Sequence, residues 1–224
     1  MFTGFSQATQ DFLWGLLLNN ERPWFEAHRA EYQQHLLTPF RELALDTSDE
    51  MRKRFPDLSL TLHIARIYRD ARRLHGRGPY KEHLWFSLSD TDWISTASFW
   101  FEIGAADFGY GLGLYCATPE QMENYRRCIA AAPAAFARIV EDINRGGLFS
   151  PEGAEYKRPK GDLGPLLNPW YNKKHIGAEH SESFGPALFS PDLPQILADG
   201  FSTLMPLYQY ICTACGLPAP QKLP

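Results

Sequence analysis

The chain has 224 residues, 44% of them hydrophobic and 21% charged, with a formal net charge of −4. That length and balance suit a folded protein with a sizeable core and exclude extensive disorder. They give no bulk attraction to nucleic acid or to an anionic membrane. No apolar stretch approaches the length of a membrane span, and Met1 to Gly4 does not open a leader. The expectation is one cytoplasmic domain covering residues 1–224.

In chain order, Phe5, Ala8, Phe12 and Leu16 recur at helical spacing, which predicts a helix over residues 6–20. Pro23 suits the first turn of a second helix carrying Trp24, Phe25, Tyr32 and Leu36. Thr38-Pro39 reads as the cap of a third helix that runs to about Arg54. The period then changes from helical to two. Leu60, Leu62, Ile64, Arg66 and Tyr68 share one strand face, and Thr61, His63, Ala65, Ile67 and Arg69 share the other. Further strands are expected around Leu84–Leu88, Phe99–Ile103 and Tyr110–Leu114, joined by turns short enough for antiparallel hairpins. Thr118-Pro119-Glu120 starts a helix reaching Ala131, and Pro133 starts another that ends near Gly146. Residues 148–175 read as an ordered loop with a short strand near Tyr156. Residues 176–184 read as a last strand, and Pro191 or Pro194 opens a C-terminal helix reaching Cys215 with Pro206 inside it. Helices, a meander of strands, then helices again make an α+β fold, with a largely antiparallel sheet packed against N- and C-terminal helices.

The chemistry concentrates between Arg66 and His83. Arg66, Arg69, Arg72, Arg73, Arg77 and Lys81 face only Asp70 and Glu82 there, and Tyr68, Tyr80 and Trp85 add rings with polar edges. Lys157, Arg158 and Lys160, then Lys173 and Lys174, form two more basic groups; the three segments hold half of the 22 Lys and Arg residues. Converged, they would grip phosphate or carboxylate; dispersed, they would be solvated or paired with acids. Arg66 sits on a face that ought to look inward, so it needs either a ligand or a partner, for which Asp70 is placed. Arg66, Arg69, Tyr80 and Lys81 are expected around one cleft.

Gly109, Gly111 and Gly113 alternate along a strand and leave one face empty, making room for a ring such as Trp100 or for a ligand. Cys212 and Cys215 form a CxxC pair at the end of an apolar helix, where core packing is the expectation. His180 and Glu182 face the same way but lack a third ligand, so no metal is expected.

The stretches Gly4-Phe5, Asn19-Asn20, Trp24-Phe25, Arg66 to Asp70, Arg72, Pro79-Tyr80-Lys81, His83 and Tyr156-Lys157-Arg158 resemble the family called domain of unknown function 2461. That resemblance spans nearly the whole chain and implies a conserved hypothetical protein without an established activity, substrate or cofactor. The family's Phe-Ser-x-Asp-Lys between these elements is replaced by Leu74-His75-Gly76-Arg77-Gly78. Three functional readings follow. In the first, Arg66, Arg69, Arg72, Lys81, Lys157 and Arg158 bind an anionic small molecule, Tyr80 orients it, and Asp70 or His83 moves a proton. In the second, the same clusters follow a nucleic acid. In the third, the charges are satisfied internally and the protein is structural or binds a partner.

Overall fold

A computed structural model of the chain describes residues 1–70, 72, 74, 76–90 and 96–217. Arg73 and His75 of the basic segment lie outside the described residues. The strands are β1 (Thr61–Ile64), β2 (His83–Ser89), β3 (Ser98–Gly104), β4 (Asp107–Leu114), β5 (Ser150–Pro151) and β6 (Ile176–Ser183). They form one antiparallel sheet in the order β1-β2-β3-β4-β6-β5. The fold is α+β.

The N-terminal helices are α1 (Gln7–Leu18), α2 (Arg22–Ala27), a single turn α3 (Arg29–Glu31) and α4 (Thr38–Arg54). Thr38 is not a cap, as the sequence suggested. Its backbone is helical, and a π-helical stretch over Tyr32–Leu37 runs straight into α4. That widened stretch sits where the Pro39 ring would otherwise meet the carbonyl one turn back. After the sheet's first four strands come α5 (Pro119–Ala131), α6 (Pro133–Gly146), α7 (Asn168–Tyr171), α8 (Pro186–Phe189) and α9 (Leu193–Ala214). Thr118 starts α5 as expected. Its hydroxyl accepts the Gln121 N–H (3.2 Å), and the Gln121 side chain accepts the Thr118 N–H (2.8 Å).

Strand alternation gives the sheet two unlike faces. One carries Leu84, Phe86, Leu88, Phe99, Phe101 and Leu112, all fully buried. Helices α4 and α9 cover it. Phe40 packs edge-on against Phe86 (5.7 Å between ring centroids) and tilted on Phe101 (6.0 Å). Phe99 lies between Phe201 (5.2 Å) and Tyr208 (5.1 Å) of α9. Each such ring contributes about 1.5–3 kcal/mol by burial, which fixes the register of every strand that carries one. Cys212 and Cys215 are free thiols inside this packing, and burial pushes Cys212 up to about 11.

The paired segments after α6 fall earlier than the sequence implied. The strand is at Ser150–Pro151, and Glu155 makes a single bridge to Lys173. Among the described residues no helix is long and apolar enough to cross a membrane.

Candidate functional site

The second face of the sheet is where the side chains capable of chemistry gather. Register places Trp85 beside Glu102 and Gly109, and Ser87 beside Trp100, Gly111 and Glu179. The glycine column leaves room for large side chains to lie against the backbone. A Cβ on Gly109 would come within 3.3 Å of the Trp100 ring, and one on Gly113 within 2.6 Å of the Tyr115 ring. The expected place for Trp100 against an emptied strand face is therefore found at Gly109. Gly177, on the neighbouring strand, plays the same part for the Glu152 carboxylate (2.7 Å).

These residues line an open cleft of about 480 Å³ with Trp85, Trp100 and Tyr115 as its rings and Glu102, Glu152 and Glu179 as its acids. Its size is that of a small-molecule site. Trp100 and Tyr115 meet at 67° with centroids 6.4 Å apart, making a corner. The Tyr115 hydroxyl donates to Glu152 Oε2 at 2.9 Å. Lys81 Nζ lies 5.7 Å from the Trp85 ring centroid. Two polar atoms of lining residues, Ser87 Oγ and Trp100 Nε1, are buried without a hydrogen-bond partner. Each such atom costs about 1–3 kcal/mol unless something satisfies it.

The acids feel both burial and one another. Glu152, only 16% exposed at its side chain, is pushed up from 4.5 to about 7, first by burial and further by Glu179 and Glu102; the Tyr115 bond opposes this. Burial also raises Glu102, against the pull of His83, whose Nε2 lies 3.8 Å from its carboxylate. Lys81 is lowered by burial and then by Arg69. His175, its Nε2 3.9 Å from Glu152 Oε1, is lowered by burial and then by Lys173. Among the described residues no group of three His, Cys, Asp or Glu could hold a metal ion. The cleft thus offers rings, negative charge and one carboxyl that titrates near neutrality.

The basic segment is built differently from the expectation. β1 stops at Ile64, and the Ala65 N–H still bonds the Trp85 carbonyl (2.9 Å). Beyond it the chain leaves β2 and pairs with its own return. Tyr68 bridges Tyr80, Arg69 N–H donates to the Pro79 carbonyl (2.9 Å), and Lys81 N–H donates to the Ile67 carbonyl (2.7 Å). The alternation loses its phase there. Ala65 and Ile67 are buried, while Arg66 and Tyr68 are exposed. Arg66 does not look inward, and Asp70 is not its partner. Asp70 instead takes both Arg72 guanidinium contacts (3.0 and 2.9 Å) on the surface.

Arg69 and Asn20 hold the return in place. Arg69 Nε donates to the Tyr80 carbonyl (2.7 Å), and its guanidinium lies 3.3 Å from Glu82. Asn20 accepts the Tyr80 N–H (3.0 Å) and donates to the Tyr80 carbonyl (3.0 Å) and to Glu82 (3.2 Å). Gly78 lies so close to Asn20 that any Cβ would collide with it. Tyr80 is buried, stacked on Phe25 at 4.0 Å. The four residues expected around one cleft are therefore divided. Tyr80 and Arg69 line a smaller cavity of about 250 Å³ with Arg22, Glu26 and Tyr68, whereas the Lys81 ammonium rests over Trp85, a ring of the aromatic cleft.

A family profile described as "Conserved hypothetical protein (DUF2461)" matches residues 8–210. The chain belongs to this family. A search of curated proteins finds no match. Of the segments that carried the resemblance, Asn20, Arg69 and Pro79-Tyr80 serve the closure just described, and Lys81 and His83 reach the cleft edge. Lys157 and Arg158 are exposed and line neither cavity. Next to them Tyr156 is bracketed by Lys160 (4.6 Å) and Arg126 (5.1 Å). Sequence reasoning missed Glu102, Tyr115, Glu152 and Glu179. The alternating glycines pointed to the right strand, but the acids come from segments brought beside it only by pairing.

Proposed function

We propose that this protein binds a small organic cation in the aromatic and acidic cleft on the open face of its sheet. The observation that carries this reading is the convergence of three carboxylates with Trp85, Trp100 and Tyr115 around one cavity. Rings attract a cation through their negative faces, and desolvation strengthens that attraction. Lys81 supports this reading from within the chain, its ammonium resting over Trp85 and feeling the charge of Glu102.

A cation favours the ionised form of Glu152, so binding releases a proton and tightens as pH rises through about 7. Calorimetric titration with choline, repeated at pH 6, 7 and 8, reads that linkage directly. Lys81 is a like charge competing for the same ring, and Lys81→Met should tighten choline binding several-fold. Saturable binding of inorganic phosphate that disappears in Lys81→Met, with no binding of choline, would overturn the cation reading in favour of an anion site.

A further inference from the structure

From the way the cleft is walled we infer that its ligand carries a methylated, quaternary ammonium group rather than a bare primary amine. The inference rests on the cation reading above and sharpens it.

A primary ammonium leaving water needs close to three hydrogen-bond acceptors to replace its hydration. Among the described residues Glu179 is the cleft acid without a hydrogen bond or ion pair, and one carboxylate turns at most two oxygens to a single ammonium. Glu152 Oε2 already accepts the Tyr115 hydroxyl at 2.9 Å. Glu102 lies opposite His83 and Lys81. Ser87 lines the cleft but is only 1% exposed, and its oxygen is out of solvent. The polar edge of Trp100 is likewise buried, because its Nε1 is out of solvent, and this leaves the carbon surface of the indole to the cavity. What a ligand meets is therefore mainly ring surface.

A quaternary ammonium suits such walls. It has no hydrogen to donate and is weakly hydrated, and its charge is spread over methyl groups that pack against rings. The Trp100–Tyr115 corner at 67° offers two walls to one rounded cation, and Trp85 offers a third ring in the same cavity. Glu152, tied to the Tyr115 hydroxyl, lines the same cavity and supplies its charge there. The glycine column is what lets Trp100 and Tyr115 lie low enough to form this corner.

Three ligands of similar size separate the possibilities: ethanolamine, choline and 3,3-dimethylbutan-1-ol, the uncharged counterpart of choline. Calorimetric titration of the full chain at pH 8 should give choline at least tenfold tighter than ethanolamine and at least tenfold tighter than the alcohol. Ethanolamine binding as tightly as choline, with the alcohol weak, would overturn the methylated-ammonium inference and leave the cation reading standing. The alcohol binding as tightly as choline, or no binding by any of the three, would remove the cation reading itself and this inference with it. Trp100→Leu should weaken choline more than tenfold, whereas Tyr115→Phe, which keeps the ring, should stay within about threefold. The reverse order for these two variants would show that hydrogen bonding, not ring surface, selects the ligand, and would overturn the inference.

Discussion

Replacing Glu152 by glutamine removes one titrating charge while keeping the shape and the acceptor for the Tyr115 hydroxyl. In the folded chain this carboxyl titrates near 7 instead of 4.5, because it is buried beside Glu179 and Glu102. Below 4.5 it is protonated whether the chain is folded or not, and it then costs nothing. Between about 4.5 and 7 the unfolded chain releases its proton while the buried carboxyl of the folded chain still holds its own. Wild-type stability therefore falls across this window. At about 1.36 kcal/mol per pH unit, moving the group from 4.5 to about 7 costs the folded state roughly 3 kcal/mol once both states are ionised. Glu152→Gln should thus match the wild type near pH 4.5 and exceed it by up to about 3 kcal/mol at pH 8. In a chain of this size that is roughly 6–12 °C in Tm. Urea titrations of both proteins at pH 5, 6, 7 and 8 measure the difference. A constant gap across that range, or a variant less stable at pH 8, would refute the account of Glu152 as a buried, acid-crowded carboxyl.

The closure of residues 66–82 makes a contrasting pair of predictions. Asn20→Ala strips the Tyr80 N–H of its acceptor and should cost roughly 2–4 kcal/mol in chemical denaturation. Exposed Arg66→Ala should change stability by no more than about 0.5 kcal/mol, and a loss comparable to that of Asn20→Ala would contradict its surface position. Gly111→Ala drives a Cβ into the Ala178 carbonyl of the paired strand and should destabilise by roughly 3 kcal/mol. Gly146→Ala, with open space around the added methyl at the end of α6, should instead gain roughly 0.5–1 kcal/mol. Equal effects at the two glycines, read from Tm, would contradict the described packing of β4 on β6.

Periodicity along the chain reveals which residues share a face, and that much could be read in advance. The helices around Phe12 and Leu16, the strands around Phe86, Phe99 and Leu112, and the Thr118 cap all depend on neighbours within a few residues. The α+β class follows from their order. The glycine alternation at 109, 111 and 113 was legible for the same reason, since it concerns one strand. The basic segment misled because its charges are dense in sequence. In the fold Arg69 and Asp70 turn to local partners, and among the described residues of the segment Lys81 and His83 reach the cleft edge.

Local pattern therefore determined the elements, their inward faces and the emptied face of β4. Tertiary structure alone decided two further things. The first is the loss of phase after Ile64, where the chain gives up β2 for its own return and turns Arg66 to solvent. The second is the cleft itself. Glu179 stands beside Gly111 through the pairing of β6 with β4, and Glu152 lies against Gly177 at the edge of that pair. Contacts between segments distant in sequence, more than 60 residues apart for β4 and β6, leave no periodic trace in either one, because each strand is stabilised by its own buried face whatever stands opposite the exposed one.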